Sequence, residues 1–213
     1  MSNAYEELKP CLEQAQAFQT AKILFEWDNE TLAPKEAEGN TAKVVGTLSS
    51  AYFSAVTDAK VKKLVEQCQK DRDSLTETER AIVRELAEEI EKLEYIPPQQ
   101  YREFAELTAR STGIWAKAKK ENDFESFAPV LKEIVDYTKK FASYRIKKGQ
   151  KLYDVMLDDY EKGFDIKTLD QFFGTLKDQL VPFLKKLTDS GESIDSSFLT
   201  GDYREEDQEK IGR

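Results

Sequence analysis

One run of side chains able to do chemistry is LYDVMLDDYEKG, residues 152–163, where Asp154, Asp158, Asp159 and Glu161 sit among tyrosines and a glycine. Carboxylates spaced this closely can ligate a hard cation, act as an acid–base pair, or form the wet face of a helix. A calcium loop needs D-x-D-x-D-G with a distal glutamate, and this run lacks that spacing. On a helix, Asp154, Asp158 and Glu161 share one face, which could hold Mg2+ or Ca2+ weakly. Tyr153, Met156, Leu157 and Tyr160 share another, and Gly163 reads as the residue that stops the helix. Charge on a surface helix is ordinarily solvated, so nothing in the run itself makes it catalytic.

A second cluster is ILFEWDNETLAP, residues 23–34, in which Phe25 and Trp27 are threaded with Glu26, Asp28 and Glu30 ahead of Pro34. Two carboxylates flanking an aromatic could form a glycosidase-like acid and base. The plainer reading is a helix end whose Trp27 covers the core while its acids stay wet. Acids oppose the dipole at a helix C-terminus, so either the helix runs on through Thr31 or basic partners neutralise them. Trp115, in GIWAKAKKEND, reads as a core residue with lysines snorkelling past it. Lys22, Lys117 and Lys148 have no desolvating context that would support a Schiff base.

The chain has no histidine among its 213 residues. That removes Ser-His-Asp and Cys-His nucleophiles, H-E-x-x-H zinc helices and E-x-x-H di-iron bundles together. Cys11 and Cys68 are the only cysteines, which fits a reducing compartment and cannot close a zinc site. With 41 acids against 32 bases the net charge is −9. The basic runs KVKK, KAKK and RIKKGQK are scattered among acids, so nucleic acid is not an expected partner. No run approaches the ~20 apolar residues of a membrane helix, and no signal-like segment follows Met1, so the expected location is cytoplasmic.

Helices must position these groups, because the apolar spacing is helical almost throughout. A first helix is expected from Tyr5 to about Trp27, with Leu8, Leu12, Ala15, Phe18 and Lys22 to Phe25 on its buried side. Val44, Val45, Leu48, Ala51, Tyr52 and Ala55 form the next stripe. Thr57 is the expected N-cap for the turns carrying Val61, Leu64, Val65 and Cys68. Thr76 and Glu79 form a capping box ahead of Ile82, Leu86, Ile90 and Leu93. Pro97 and Pro98 end that helix and open another bearing Tyr101, Phe104, Leu107, Ile114 and Trp115.

Ser126 is the expected cap of a helix pointing Leu131, Ile134, Val135 and Phe141 inward. From Asp165 comes the clearest stripe: Leu169, Phe172, Phe173, Leu176, Leu180, Phe183, Leu184 and Leu187, with Pro182 expected to kink or shorten the helix. The fold class is all-α. The opening MSNA, residues 1–4, reads as a cloning scar, and 5–190 as one helical region. Residues 191–213 read as a linker and the start of a further helix, with Asp202 and Glu205 suited to its first turn.

Three stretches, LFEWDNETLAPKEAEGNTAKVVGTLS, IWAKAKKENDFESFAPVLKEIV and KLYDVMLDDYEKGFDIKTLDQFFGTLKDQLVP, occur in this order. Together they resemble the N-terminal part of the carboxypeptidase Taq (M32) family of zinc metallocarboxypeptidases. The matching positions are Trp27-Asp28-Thr31-Pro34, then Trp115-Ala118-Lys119 with Phe124, then Tyr153-Asp154-Leu157-Asp158-Tyr160-Glu161-Gly163. Lys162 stands where the family has proline before the glycine, and Asn40 where it commonly has arginine. Family members are much longer, and their zinc helix lies beyond the matching region.

The resemblance implies the N-terminal part of a zincin-like, mostly helical peptidase. It would remove C-terminal amino acids from peptides with broad tolerance and poor action on proline, often as a homodimer. Zinc would polarise the scissile carbonyl and activate a water, with the H-E-x-x-H glutamate as base. None of those groups occurs in these 213 residues, so the chain alone is expected to be inactive, with no catalytic and no metal-binding residue of its own. Asp154, Asp158 and Tyr160 are the residues expected beside the substrate groove. The rival readings are a non-catalytic helical protein-interaction module, and a carboxylate hydrolase built on Glu26, Asp28 and Glu30 with Asp158, Asp159 and Glu161.

Overall fold

Helix is the only regular structure among the described residues, which are 4–191 and 195–213 of a computed structural model. Residues 1–3 of the MSNA opening and 192–194 of the expected linker lie outside them. The chain divides into two units, 1–156 and 157–213.

In the first unit, α1 spans Ala4–Thr31, α2 Glu38–Val56, α3 Ala59–Lys70, α4 Glu77–Leu93, α5 Pro98–Glu121 and α6 Phe124–Arg145. The short α7, Leu152–Asp158, spans the division between the units. α2 packs against both α1 and α5, α5 also packs against α6, and α3 lies against α1 and α4. Phe53 meets Tyr101, Gly46 meets Glu106 and Gly113 meets Glu38, so α2 and α5 run antiparallel. The same reasoning makes α5 and α6 antiparallel, since Gln100 bonds Tyr144 and Glu103 bonds Tyr137.

The core is apolar and contiguous, with Leu8, Phe53, Leu64, Cys68, Leu86 and Phe141 among its buried members. Phe141 meets Phe104 and Tyr137 edge to face, and Phe104 meets Tyr137 at a tilt, at 5.3–5.7 Å between ring centres. Start signals set several boundaries. Thr76 and Glu79 form the expected reciprocal box, the Thr76 hydroxyl accepting from the Glu79 amide and the Glu79 carboxylate from the Thr76 amide. Those bonds hold the Glu79 carboxyl below its usual range. Pro98 opens α5, where an amide would have no partner.

Two caps differ from expectation, for one reason. Asp58, not Thr57, caps α3, and Asp123, not Ser126, caps α6. In both places an aspartate lies within three residues of the hydroxyl, Asp58 just after Thr57 and Asp123 three before Ser126, and its carboxylate accepts the amide bond. Thr57 instead donates back to the Phe53 carbonyl and closes α2. The buried stripe of α2 also sits one position round from the expected one. Ala42, Val45, Gly46, Ser49, Phe53 and Val56 are buried, because small residues admit the neighbouring helices closely. On α1 the buried side fades after Ala15, and Ile23, Leu24 and Phe25 are exposed.

The second unit carries α8, Ile166–Asp189, and α9, Glu205–Gly212. Asp165 caps α8 by accepting from the Thr168 amide at 2.7 Å. Pro182 neither ends nor shortens α8, which continues to Asp189. No residue of α8 or α9 is buried.

Candidate functional site

Asp154 and Asp158 spend their carboxylates on the chain's own amides. Asp154 Oδ2 accepts from the Lys151 amide at 3.2 Å, fixing the start of α7. Asp158 Oδ1 accepts from the Gly163 amide at 2.8 Å, closing the turn after α7. Gly163 adopts φ +83°, a left-handed conformation that a Cβ would strain. α7 stops at Asp158, so Gly163 ends the turn beyond the helix and not the helix itself. Asp154 lies in the first unit, whereas Asp158 and Tyr160 lie in the second. Val155 is the buried residue of α7, and Tyr160 is 88% exposed.

The acids of the second cluster have a simple structural explanation. α1 does run on through Thr31, so Glu26, Asp28 and Glu30 belong to the helix body. Lys22 stands 3.9 Å from Glu26, one turn earlier. The end is closed by backbone: the Leu32 and Ala33 amides both donate to the Asp28 carbonyl at 2.9 Å. Trp27 does not cover the core and is 57% exposed. Trp115 is likewise 46% exposed, with the Lys119 ammonium 4.9 Å from its ring centre.

What the spacing did not reveal is a polar cavity of about 280 Å³ beside that helix end. Asn29, Glu30, Thr31 and Lys35 line it on one side, and Thr112 and Gly113 of α5 on the other, with Glu38. A Cβ on Gly113 would stand 2.3 Å from Glu38 Oε2, so the glycine is what lets the carboxylate lie against α5. Gly46 does the same for Glu106, which also accepts from Arg102 Nε at 2.9 Å. The legible signal was a glycine inside each of two helices, which costs helix stability and so implies a close approach. The cavity offers amide, hydroxyl, ammonium and carboxylate groups but no imidazole or thiol.

Elsewhere, buried polar groups are structural donors. The Tyr52 hydroxyl donates to Glu89 at 2.5 Å, and burial followed by that bond raises its pKa. Tyr101 is pushed up to about 12, by burial first and then by Glu89. Both phenols stay protonated at neutral pH. Among the described residues no group of three or more Cys, Asp or Glu side chains is placed to hold a metal ion. Without histidine or such a group, this chain's residues do not fit a catalytic zinc.

The sequence profile of the Carboxypeptidase Taq (M32) metallopeptidase family matches residues 7–213. Carboxypeptidase 1 of Bacillus subtilis is 31% identical over 98% of this chain, and the match covers 42% of that protein. Thermostable carboxypeptidase 1 of Pyrococcus furiosus is 33% identical over 81% of this chain and 34% of its own length. The crystal structure of BsuCP aligns with a TM-score of 0.91 at 30% identity, over 99% of this chain and 42% of that one. The magnesium apo form of the Pyrococcus furiosus carboxypeptidase aligns at 0.72, covering 90% and 38%. The chain thus spans less than half the length of these relatives, and across nearly all of its own length it belongs to the M32 metallocarboxypeptidase family.

Proposed function

We propose that this chain is the amino-terminal helical part of a zinc-dependent carboxypeptidase. The whole protein releases C-terminal amino acids from peptides, with broad side-chain tolerance and poor action on proline, and the 213 residues alone hydrolyse nothing. The observation that carries the reading is the combination of a family match over residues 7–213 with a sequence that holds no histidine and, among the described residues, no group of acids or thiols placed to hold a metal. The helices then serve as one wall of the peptide groove. Asp154 and Asp158 hold the turns around α7, which supports a positioning role, and the exposed Tyr160 ring is available to a passing peptide. The working enzyme is a cytoplasmic homodimer acting on peptides, without nucleic acid or membrane.

The exposed face of α8 supports this reading over a self-sufficient interaction module, which would close its apolar surface. No helix among the described residues is long and apolar enough to cross a membrane. The coding sequence downstream of codon 213 tests the proposal. An in-frame H-E-x-x-H motif within about a hundred codons, with a further glutamate ligand, supports it. A stop at that position would overturn it and leave the interaction module as the better account.

A further inference from the structure

Three arginines, Arg72, Arg80 and Arg84, line one cavity of about 240 Å³ in the first unit. Arg72 lies in the 3-10 turn that follows α3, and Arg80 and Arg84 lie one turn apart on α4. Gln69 stands beside them, and Cys68, Leu75 and Val83 supply an apolar floor, each of them buried. Among the described residues, none of the three guanidiniums makes a hydrogen bond or an ion pair. The chain as a whole carries a net charge of −9.

Of the neighbouring acids, one is committed to a cap. Glu79 is held by the Thr76 capping box. Lys62 pairs with Glu94 in the acidic groove that adjoins the cavity through Gln69 and Arg84. Asp71 accepts from the Ser74 hydroxyl through its carbonyl, while its carboxylate acts on the Cys68 thiol of the floor, so an entering anion must outweigh that charge. Like charges one turn apart on a helix repel, so Arg80 and Arg84 destabilise the empty cavity and reward an anion that enters it. Arginine presents a planar fork of donors matched to phosphate oxygens, and a third cation suits a doubly charged group.

We propose that this cavity binds a small dianionic oxyanion, phosphate or a phosphate monoester, between the guanidiniums of Arg72, Arg80 and Arg84, with the Gln69 amide as a further donor. The apolar floor would accept the carbon portion of an ester. Cys68 takes no covalent part: it is 1% exposed, and burial, then Asp71, pushes its thiol up and keeps it protonated. The site is independent of the peptidase reading, because no metal and no hydrolysis enter it.

The test is calorimetric titration of the 213-residue chain with inorganic phosphate and with phenyl phosphate at constant ionic strength. Saturable one-to-one binding is expected, weakened about 10-fold in Arg72→Gln and in Arg84→Gln, the value of a charge-assisted hydrogen bond. Both substituted residues are exposed, so the variants should keep the wild-type circular dichroism and unfolding midpoint without ligand. Tighter binding of phenyl phosphate identifies an organic ester as the ligand, and equal binding identifies free phosphate. Absence of saturable binding, equal heats from chloride, or undiminished affinity in both variants would each overturn the proposal.

Discussion

α2 and α8 invert the usual relation between stripe and burial. α8 has the cleanest amphipathic pattern in the chain, with Leu169, Phe173, Leu176, Leu180, Phe183 and Leu187 spaced alternately four and three apart, and buries nothing. α2 has a mixed pattern that includes Gly46 and Ser49, yet buries residues along its whole length between α1 and α5. An apolar stripe states that a helix has a face to cover; it does not say that the partner lies in the same 213 residues. Gly46, in contrast, records a partner that is already present, because the close approach of Glu106 repays its cost.

Substitutions of one type in the two regions should therefore behave differently. Leu8 is fully buried, and Leu8→Ala is expected to cost about 2–5 kcal/mol in urea unfolding, the range for a large-to-small core change. Leu180→Ala on α8 should stay within about 0.5 kcal/mol, as an exposed substitution does. A comparable loss at both positions would mean that the α8 face is covered in solution.

Glycine gives the next largest contrast, and here the sign changes. A Cβ on Gly46 would stand 2.3 Å from Glu106 Cγ, so Gly46→Ala should cost about 1–3 kcal/mol by overpacking the α2–α5 contact. Gly174 has nothing within 4 Å of its would-be Cβ, and Gly174→Ala should stabilise α8 by about 0.5–1 kcal/mol. Helix content and unfolding midpoints read both effects.

A single-cap effect lies at the start of α4. Thr76→Ala removes the cap and should cost about 1 kcal/mol. The Glu79 carboxyl is held low by its bond to the Thr76 amide, so its contribution is present above the ordinary glutamate value of 4.5 and lost as pH falls through the lower folded value. The stability difference between the wild type and Glu79→Gln should therefore shrink on acidification through that range. A difference that is flat from neutral pH to about pH 3 would remove the carboxylate from the account.

The helical class, the Thr76 box, the Pro98 start, the core of α3 and all but Val83 of the core of α4 were legible, because local chemistry sets them. Cap identity was less so. Aspartate and a nearby hydroxyl compete for the same amides, and at Asp58 and Asp123 the carboxylate holds the cap. Exposure of Trp27, Trp115 and Tyr160 could not be read, since periodicity carries no information on whether a partner surface exists. The Glu38–Gly113 contact was recorded only as a glycine inside a helix, and the arginine cavity only as three bases spread over thirteen residues among acids.

The most direct test of the account is to give the purified 213-residue chain zinc and a peptide with a free C-terminus, and to measure both bound metal after dialysis and released amino acid. A chain that supplies scaffold and no metal ligands should retain no stoichiometric zinc and release nothing. Zinc-dependent release of C-terminal residues by these 213 residues alone would contradict it.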